Sequence, residues 1–272
     1  MNILFPVLGM AYAAFWIWLG VRIFNRRERW AIRTAVAALV VSLPLGGCCL
    51  LMPMVTTPRE VGRRSQCKNN LKQIGLALHN YHEEYGCMPP AYIGDKNGRP
   101  MHSWRVLILP FMDLDQQLLY KKYRFDEPWD GPNNRKLADA IVPFYNCPSD
   151  DQDGRKYQST MTNYVAVVGP ETAWPETGTV TFKDFVDGTS NTLLVVEVSN
   201  SGIHWMEPRD LHVGQMTPRI NSKAGQGLSS RHTGGAHGLL ADGSVRYIPE
   251  ILTADELRAW LTRNGGDANT GF

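Results

Sequence analysis

The sequence predicts an α+β protein in which two apolar transmembrane helices precede one soluble domain. Three observations support this fold class: two long apolar stretches near the N-terminus, a helical repeat of apolar residues after them, and short β-branched segments in the second half. Helices gathered in one part of a chain and antiparallel strands in another are typical of α+β domains. We therefore expect a membrane anchor over residues 1–57 and an α+β domain over residues 58–272.

The N-terminal region contains two apolar stretches of membrane-spanning length, at about residues 3–24 and 34–55. Arg22 is the only charged residue of the first stretch, and the second stretch has none. About 20 helical residues cross a hydrocarbon core of about 30 Å. The two stretches therefore predict a two-helix transmembrane hairpin, with the lipid bilayer as its partner.

Two other interpretations of this region fit the sequence less well. A cleaved signal peptide begins with positive charge, whereas Met1 and Asn2 carry no charged side chain. Residues 45–48 resemble a lipoprotein cleavage site, but more apolar residues follow them. Arginines between the stretches nearly balance the basic residues after the second stretch, so the positive-inside rule leaves the orientation open.

Charge disfavours nucleic acid as a partner. The chain has 28 basic and 26 acidic residues, whereas binding to a phosphate backbone needs an excess of positive charge. The five cysteines fall into two groups, with Cys48 and Cys49 in the second apolar stretch and three in the soluble part. Three cysteines allow several pairings, of which we favour a disulfide between Cys67 and Cys147 that leaves Cys87 free.

Helical segments are predicted at both ends of the soluble part. Apolar residues recur at spacings of three and four over residues 59–85, which predicts a long amphipathic helix that ends at Gly86. A second helix is predicted over residues 253–264, where Thr253 and Glu256 form a capping box. Shorter helices are expected around Pro110 and over residues 132–141.

The second half predicts antiparallel β structure. Residues 163–168 and 192–198 are rich in β-branched side chains, which is typical of strands. The Asp187-Gly188 pair between them predicts a turn. Residues 238–248 predict a hairpin, because Asp242 and Gly243 stand between two short apolar segments and glycine accepts the positive φ of a turn.

Much of the soluble part resembles a large bacterial family of prepilin-like surface proteins that carry a domain of unknown function. The resemblance covers about residues 59–248 and includes a C-terminal motif of His232, nine residues, then Asp242 and Gly243. The other matching segments are residues 63–82, 85–91, 102–105, 126–134, 147–150, 162–164 and 187–192.

This resemblance implies a pilin-like architecture and a structural or assembly role in the cell envelope, with other envelope or pilin-like proteins as partners. It also places the soluble domain outside the cytoplasm. The basic leader and peptidase site typical of the family are not found in the N-terminal residues. We therefore expect a permanently anchored, two-pass protein of the cytoplasmic membrane.

Histidines and carboxylates form the candidate metal or acid–base groups. They are His204, Glu207, Asp210, His232 and His237. Zinc and hydrolytic sites need such groups to converge, but their spacing here matches no zinc-protease motif. We therefore predict a non-enzymatic protein without a metal or cofactor, with His204, Glu207 and His232 as the alternative metal ligands.

Several oxygen-bearing side chains cluster in residues 187–191. Calcium takes six to eight oxygen ligands, so a calcium site is one interpretation. A turn capped by its own side chains is the simpler one. We expect structural roles for Asp187, Gly188 and Asn191, as for His232, Asp242 and Gly243 of the C-terminal motif.

Aromatic residues supply an alternative function. Trp104, Trp129, Trp174 and Trp205 could line a glycan-binding surface, although large aromatic side chains more often fill a core. Three hypotheses therefore stand. The first is a membrane-anchored envelope protein with a structural role, the second an extracytoplasmic glycan- or solute-binding module, and the third a metal-dependent hydrolase.

Overall fold

The computed structural model describes residues 15–18, 60–150 and 159–266. The chain divides into two compact units, Met1–Arg59 and Glu60–Phe272. In the first unit, the described residues 15–18 form a short helical segment. The α+β domain is the second unit.

The structure does not support the two-helix transmembrane hairpin of the predicted fold class. None of the helices among residues 15–18, 60–150 and 159–266 combines the length and the apolar character that crossing a bilayer requires. The predicted spans at residues 3–24 and 34–55, and with them Cys48 and Cys49, lie outside the described residues except for 15–18. The prediction rested on the apolar length of the two stretches and on their scarcity of charge. The long helix that is described is amphipathic and packs on a protein core.

That helix, α1, covers residues 60–85, as predicted. Its buried face carries side chains with no solvent exposure at spacings of three and four: Cys67, Leu71, Ile74, Ala77 and Leu78. Charged and polar side chains occupy the opposite face. Gly86 follows with a φ of 73°, the left-handed conformation that ends helices.

A five-stranded sheet forms the centre of the domain, in the order β5-β3-β4-β6-β7. The strands are β3 Tyr164–Val168, β4 Leu193–Glu197, β5 Leu211–His212, β6 Gly235–Leu240 and β7 Val245–Pro249. The pairs β3–β4, β4–β6 and β6–β7 are antiparallel, as predicted, while the short β5 pairs in parallel with β3. The predicted hairpin is the β6–β7 pair.

The sheet has a buried core on each face, because side chains alternate along a strand. Tyr164 and Ala166 of β3 join the cluster that contains the buried face of α1. Val165 and Val167 join the cluster on the other face. There they pack with the C-terminal helix α4, Ala254–Leu261, whose capping box of Thr253 and Glu256 is present as predicted. Two shorter helices, α2 Trp104–Leu107 and α3 Leu114–Lys122, lie between α1 and α4 in the chain.

A peripheral layer connects α1 to the sheet. It contains the two-stranded sheet of β1 Tyr92–Gly94 and β2 Pro100–Ser103, together with α2 and α3. The predicted helix at residues 132–141 is only a short 3-10 turn, Asn134–Leu137. A buried ion pair of 2.6 Å between Arg105 and Asp210 fastens α2 to the sheet.

Candidate functional site

The candidate site lies where α1 packs on β4 and β6. The structure contains the favoured disulfide, which joins Cys67 of α1 to Cys147 in the loop before the sheet. Both cysteines are buried, and Cys87 is free and half-buried. The disulfide connects residues that are 80 positions apart in the chain. It therefore fixes α1 covalently to the body of the domain.

His232 lies beside the disulfide with only 3% of its surface exposed. Its Nδ1 atom is 2.9 Å from Oε1 of Glu60, at the start of α1. Its Nε2 atom is 3.6 Å from the Sγ atom of Cys147 and 3.6 Å from Oε1 of Glu197. The imidazole therefore stands between two carboxylates, with its Nε2 atom turned toward sulfur.

Glu197 is the last residue of β4 and is 1% exposed. Its Oε2 atom accepts hydrogen bonds from the backbone N–H and the Nδ1 atom of His237, each 3.0 Å long. Within the described part of the chain its Oε1 atom has no hydrogen-bond partner. An unsatisfied buried oxygen is uncommon in folded proteins and calls for an explanation. This oxygen points toward Nε2 of His232.

A buried tyrosine borders the same cluster. The hydroxyl of Tyr164 donates to the carbonyl oxygen of Cys67 across 3.3 Å. Burial, together with the Glu197 carboxylate, raises the pKa of Tyr164 well above its usual value. Tyr164 is therefore a neutral hydrogen-bond donor here, not a proton-transfer group.

Segments that are distant in the sequence converge around the disulfide. The backbone N–H of Cys147 donates to the side-chain oxygen of Asn163 across 2.7 Å, and the amide of Asn163 donates to Asp150. The other carboxylate oxygen of Asp150 is 3.2 Å from Nε of Arg231, next to His232. Residues 147–150, 162–164 and 231–232 thus form one connected network.

The motif that begins at His232 ends at the other end of α1. Gly243 has a φ of 81° in the β6–β7 turn, as expected. The side chain of His79 bonds the carbonyl oxygen of the neighbouring Ala241 at 2.9 Å. From residue 60 to residue 79 a helix rises about 28 Å, and ten residues of extended chain span about 33 Å. The motif therefore follows α1 and contacts it at both ends.

The loop at residues 187–191 makes backbone contacts. Both carboxylate oxygens of Asp187 accept from backbone N–H groups near the C-terminus, those of Gly265 at 2.7 Å and Gly266 at 3.0 Å. Asn191 donates to the carbonyl oxygen of Asp187, and Gly188 has a φ of 96°. These contacts favour the turn interpretation over the calcium site.

The other predicted metal ligands lie elsewhere. His204 bonds the carbonyl oxygen of Ala138 at 2.9 Å, and Glu207 pairs with Arg209 at 2.6 Å. Asp210 is the partner of Arg105; burial raises the pKa of its carboxyl, and the guanidinium opposes that shift. Of the candidates, His232 belongs to a group with metal-ligand geometry among the described residues. Its partners are Cys67, Cys147 and Glu197.

Tryptophans occupy the interior more than the surface. Trp104, Trp174 and Trp205 are at most 1% exposed. Their indole N–H groups donate to Asp210 and to the carbonyl oxygens of Leu194 and Ala140, respectively. Trp129 is half-buried and stacks on His204. Three of the four thus fill the core, as the simpler interpretation expects.

An open cleft lies next to the cluster, between α1 and the β6–β7 hairpin. Its lining includes Arg64 and Lys68 of α1 together with His237 and Tyr247 of the sheet. The guanidinium of Arg64 lies 3.6 Å from the centre of the Tyr247 ring. The cleft therefore presents positive charge beside an aromatic face.

Sequence reasoning missed two acidic residues of the site, Glu60 and Glu197. The signal for Glu197 was its position, because it is the one charged residue in the apolar segment 192–198. A charge that faces the core of a central strand needs a buried partner. Glu60 gave no such signal, since acidic residues are common on helix surfaces.

Comparison with known proteins identifies the family of this chain. No curated protein and no solved structure matches the chain. Residues 56–207 and 199–253, well over half of the chain, match the family described as protein of unknown function (DUF1559). The expected domain of unknown function is thereby confirmed, whereas the prepilin-like character and the C-terminal motif stay predictions. The chain belongs to this family of proteins of unknown function.

Proposed function

We propose that this protein is a structural component of the cell envelope whose α+β domain lies outside the cytoplasm. The observation that carries the proposal is the buried Cys67–Cys147 disulfide. Structural disulfides persist in oxidising compartments and are rare in the cytosol. A disulfide at the centre of the fold therefore supports an extracytoplasmic location.

The way α1 is held supports a mechanical role. The disulfide fixes the helix near its start, Glu60 pairs with His232, and His79 bonds the tip of the β6–β7 hairpin. A long helix fastened at both ends to an antiparallel sheet suits a domain that transmits load or assembles with others. A pilin-like role, with other envelope or pilin-like proteins as partners, belongs to this proposal.

Contacts of the candidate catalytic groups support a non-enzymatic role. His204 and Glu207 are engaged by a backbone carbonyl and by an arginine, and Asp210 is buried against Arg105. A general base must be within hydrogen-bond reach of its substrate, whereas these side chains are held by groups of the protein itself. Their contacts instead hold loops against the sheet.

Thiol labelling in intact cells tests the location. A full-length variant with Cys48 and Cys49 replaced by alanine is treated with a membrane-impermeant maleimide, with and without prior reduction. Cys87 should react without reduction, and labelling of Cys67 and Cys147 should require both reduction and unfolding. A Cys87→Ser variant is the matched control for the first signal.

Marker proteins of known compartment report whether either membrane has been breached. Labelling of Cys87 only after lysis of the cytoplasmic membrane, with Cys67 and Cys147 recovered as free thiols, would contradict the proposal. Recovery of the disulfide together with protection of Cys87 until lysis would also contradict the location.

The basic cleft favours a second candidate function, the binding of an acidic glycan or other anionic solute. Arg64 and Lys68 supply charge there, and the Arg64 guanidinium lies over the ring of Tyr247. Acidic oligosaccharides would be titrated against the purified chain by calorimetry, with neutral oligosaccharides as the control. Binding that is lost in Arg64→Ala would support this candidate. A titration in which no acidic oligosaccharide gives measurable heat would contradict it.

A further inference from the structure

We propose that Cys67 and Cys147, when reduced, form a tetrahedral site for one zinc ion together with Glu197 and His232. The ligand atoms of these four buried residues lie within 4.8 Å of one another. Zinc bonds of 2.0–2.3 Å place tetrahedral ligand atoms about 3.3–3.8 Å apart. Small side-chain movements therefore suffice to close the group around an ion.

Glu197 carries the strongest sign of a ligand. Its Oε1 atom is buried, has no hydrogen-bond partner within the described part of the chain, and faces Nε2 of His232 at 3.6 Å. The second oxygen is held by two bonds from His237. A carboxylate fixed through one oxygen with the other aimed into a cluster has the geometry of a supported metal ligand.

His232 has the complementary arrangement. Its Nδ1 atom lies 2.9 Å from the Glu60 carboxylate, which can only accept a proton when ionised, so that in the neutral ring Nδ1 carries the hydrogen and Nε2 the lone pair. That lone pair points toward the sulfur of Cys147 at 3.6 Å. Metal-bound histidines characteristically donate their other N–H to a carboxylate in this way.

The redox state of Cys67 and Cys147 determines whether a disulfide or a zinc site links them. A dithiol reductant gives two electrons and two protons to the disulfide, so that the S–S bond breaks, two thiols form and the reductant closes to its own disulfide. Zinc then displaces the two thiol protons, giving two thiolates, a neutral imidazole and a carboxylate as ligands. The disulfide offers no thiolate, so the oxidised chain has only two of the four ligands.

Zinc would connect the two elements that the disulfide connects and would join two further segments to them. Cys67 lies on α1, Cys147 lies in the loop before the sheet, Glu197 ends β4 and His232 precedes β6. The reduced domain would therefore keep α1 in place instead of releasing it. This inference goes beyond the proposed structural role and holds for either compartment.

The test uses the full-length chain with Cys48, Cys49 and Cys87 replaced by alanine, which removes the other thiols. One sample is reduced with a phosphine, which becomes a phosphine oxide with oxygen from water, and the other stays oxidised. Both are dialysed against zinc, and bound zinc is counted by elemental mass spectrometry. We expect one zinc per reduced chain and less than a tenth of that in the oxidised chain.

Cobalt in place of zinc adds a spectroscopic reading, since tetrahedral thiolate cobalt absorbs visible light. His232→Ala and Glu197→Gln should each weaken zinc affinity at least about tenfold, and Glu60→Gln about 10- to 100-fold as an outer-shell change. His204→Ala is the matched control and should leave zinc affinity unchanged. Circular dichroism checks folding, and the half-buried Glu60 position keeps the test valid if a core variant fails to fold.

Three results would overturn the proposal. They are no zinc in the reduced chain, equal zinc in both redox forms, and an affinity that none of the His232, Glu197 and Glu60 changes reduces. The last result would mean that two thiols alone chelate the metal.

Discussion

The two helices α1 and α4 pack apolar side chains on opposite faces of the same sheet, but α1 also has covalent and polar links to the rest of the domain. A disulfide, a histidine between two carboxylates and a bond to a hairpin tip fasten α1. Leu257, Trp260 and Leu261 bury the inner face of α4. Apolar packing tolerates small shifts, whereas covalent and polar links fix position and register. The position and register of α1 on the sheet are therefore fixed more tightly than those of α4.

Breaking the disulfide should have the largest effect. Cys147→Ser removes a link that closes a loop of 80 residues. The chain-entropy model gives about 4.5 kcal/mol of stability for such a loop, within the measured range of about 2–5 kcal/mol. Urea unfolding of the purified chain in a metal chelator, followed by circular dichroism, checks this loss.

Cys87→Ser is its matched control. Among the described residues Cys87 has no disulfide partner, so this change should shift stability by no more than about 0.5 kcal/mol. Equal losses for the two variants would show that the disulfide contributes nothing particular to the α1 face.

On the other face, Leu257→Ala tests the contribution of packing. Leu257 is 2% exposed in the second core, so its truncation should cost about 2–5 kcal/mol, with about 3 kcal/mol expected. The same urea titration measures it, with the exposed Ile251→Ala as control. A loss below about 1 kcal/mol would mean that α4 is loosely packed. The two helices would then differ even more in how firmly they are held.

A glycine in α1 allows a finer test of how closely that helix approaches the sheet. A Cβ atom at Gly75 would lie 2.8 Å from the Cδ1 atom of the buried Leu239. Gly75→Val should therefore destabilise the domain by about 1–3 kcal/mol through overpacking. Unfolding midpoints measure the change.

Gly62, on the same helix, supplies the control. A Cβ atom there would meet no atom of the described residues within 4 Å. Gly62→Ala should therefore stabilise the helix by about 0.5–1 kcal/mol, because alanine has the higher helix propensity. If both substitutions were stabilising, α1 would not lie as close to β6 as the structure has it.

Local patterns predicted the elements that local forces determine. The periodicity of residues 59–85, the Asp242-Gly243 turn and the Thr253–Glu256 capping box each involve neighbours in sequence, and the structure contains all three. The transmembrane hairpin was inferred from apolar length and scarcity of charge, and no described helix supports it.

Contacts between distant residues were beyond the sequence. His232 meets Glu60 across 172 positions and Cys147 across 85, and nothing in the local pattern of either partner encodes that meeting. The two-residue strand β5 is similar, because its pairing with β3 follows from tertiary packing and not from strand propensity. Of the site, the sequence therefore indicated the disulfide and His232 but not their carboxylate partners.

The smallest expected effect concerns pH and the start of α4. Hydrogen bonds from the backbone and side chain of Thr253 lower the pKa of Glu256 below its ordinary value of 4.5. A carboxylate whose pKa is lower in the folded state stabilises the fold above its unfolded pKa, and this contribution is lost as the pH falls through the folded pKa. Glu256→Gln should therefore lower the melting temperature slightly near pH 7 and remove part of the loss seen below about pH 4.5. Thermal melts of both chains from pH 3 to pH 7 measure this, with the exposed Asp255→Asn as control. Parallel curves for the wild type and Glu256→Gln would show that α4 owes its stability to packing alone, which would sharpen its contrast with α1.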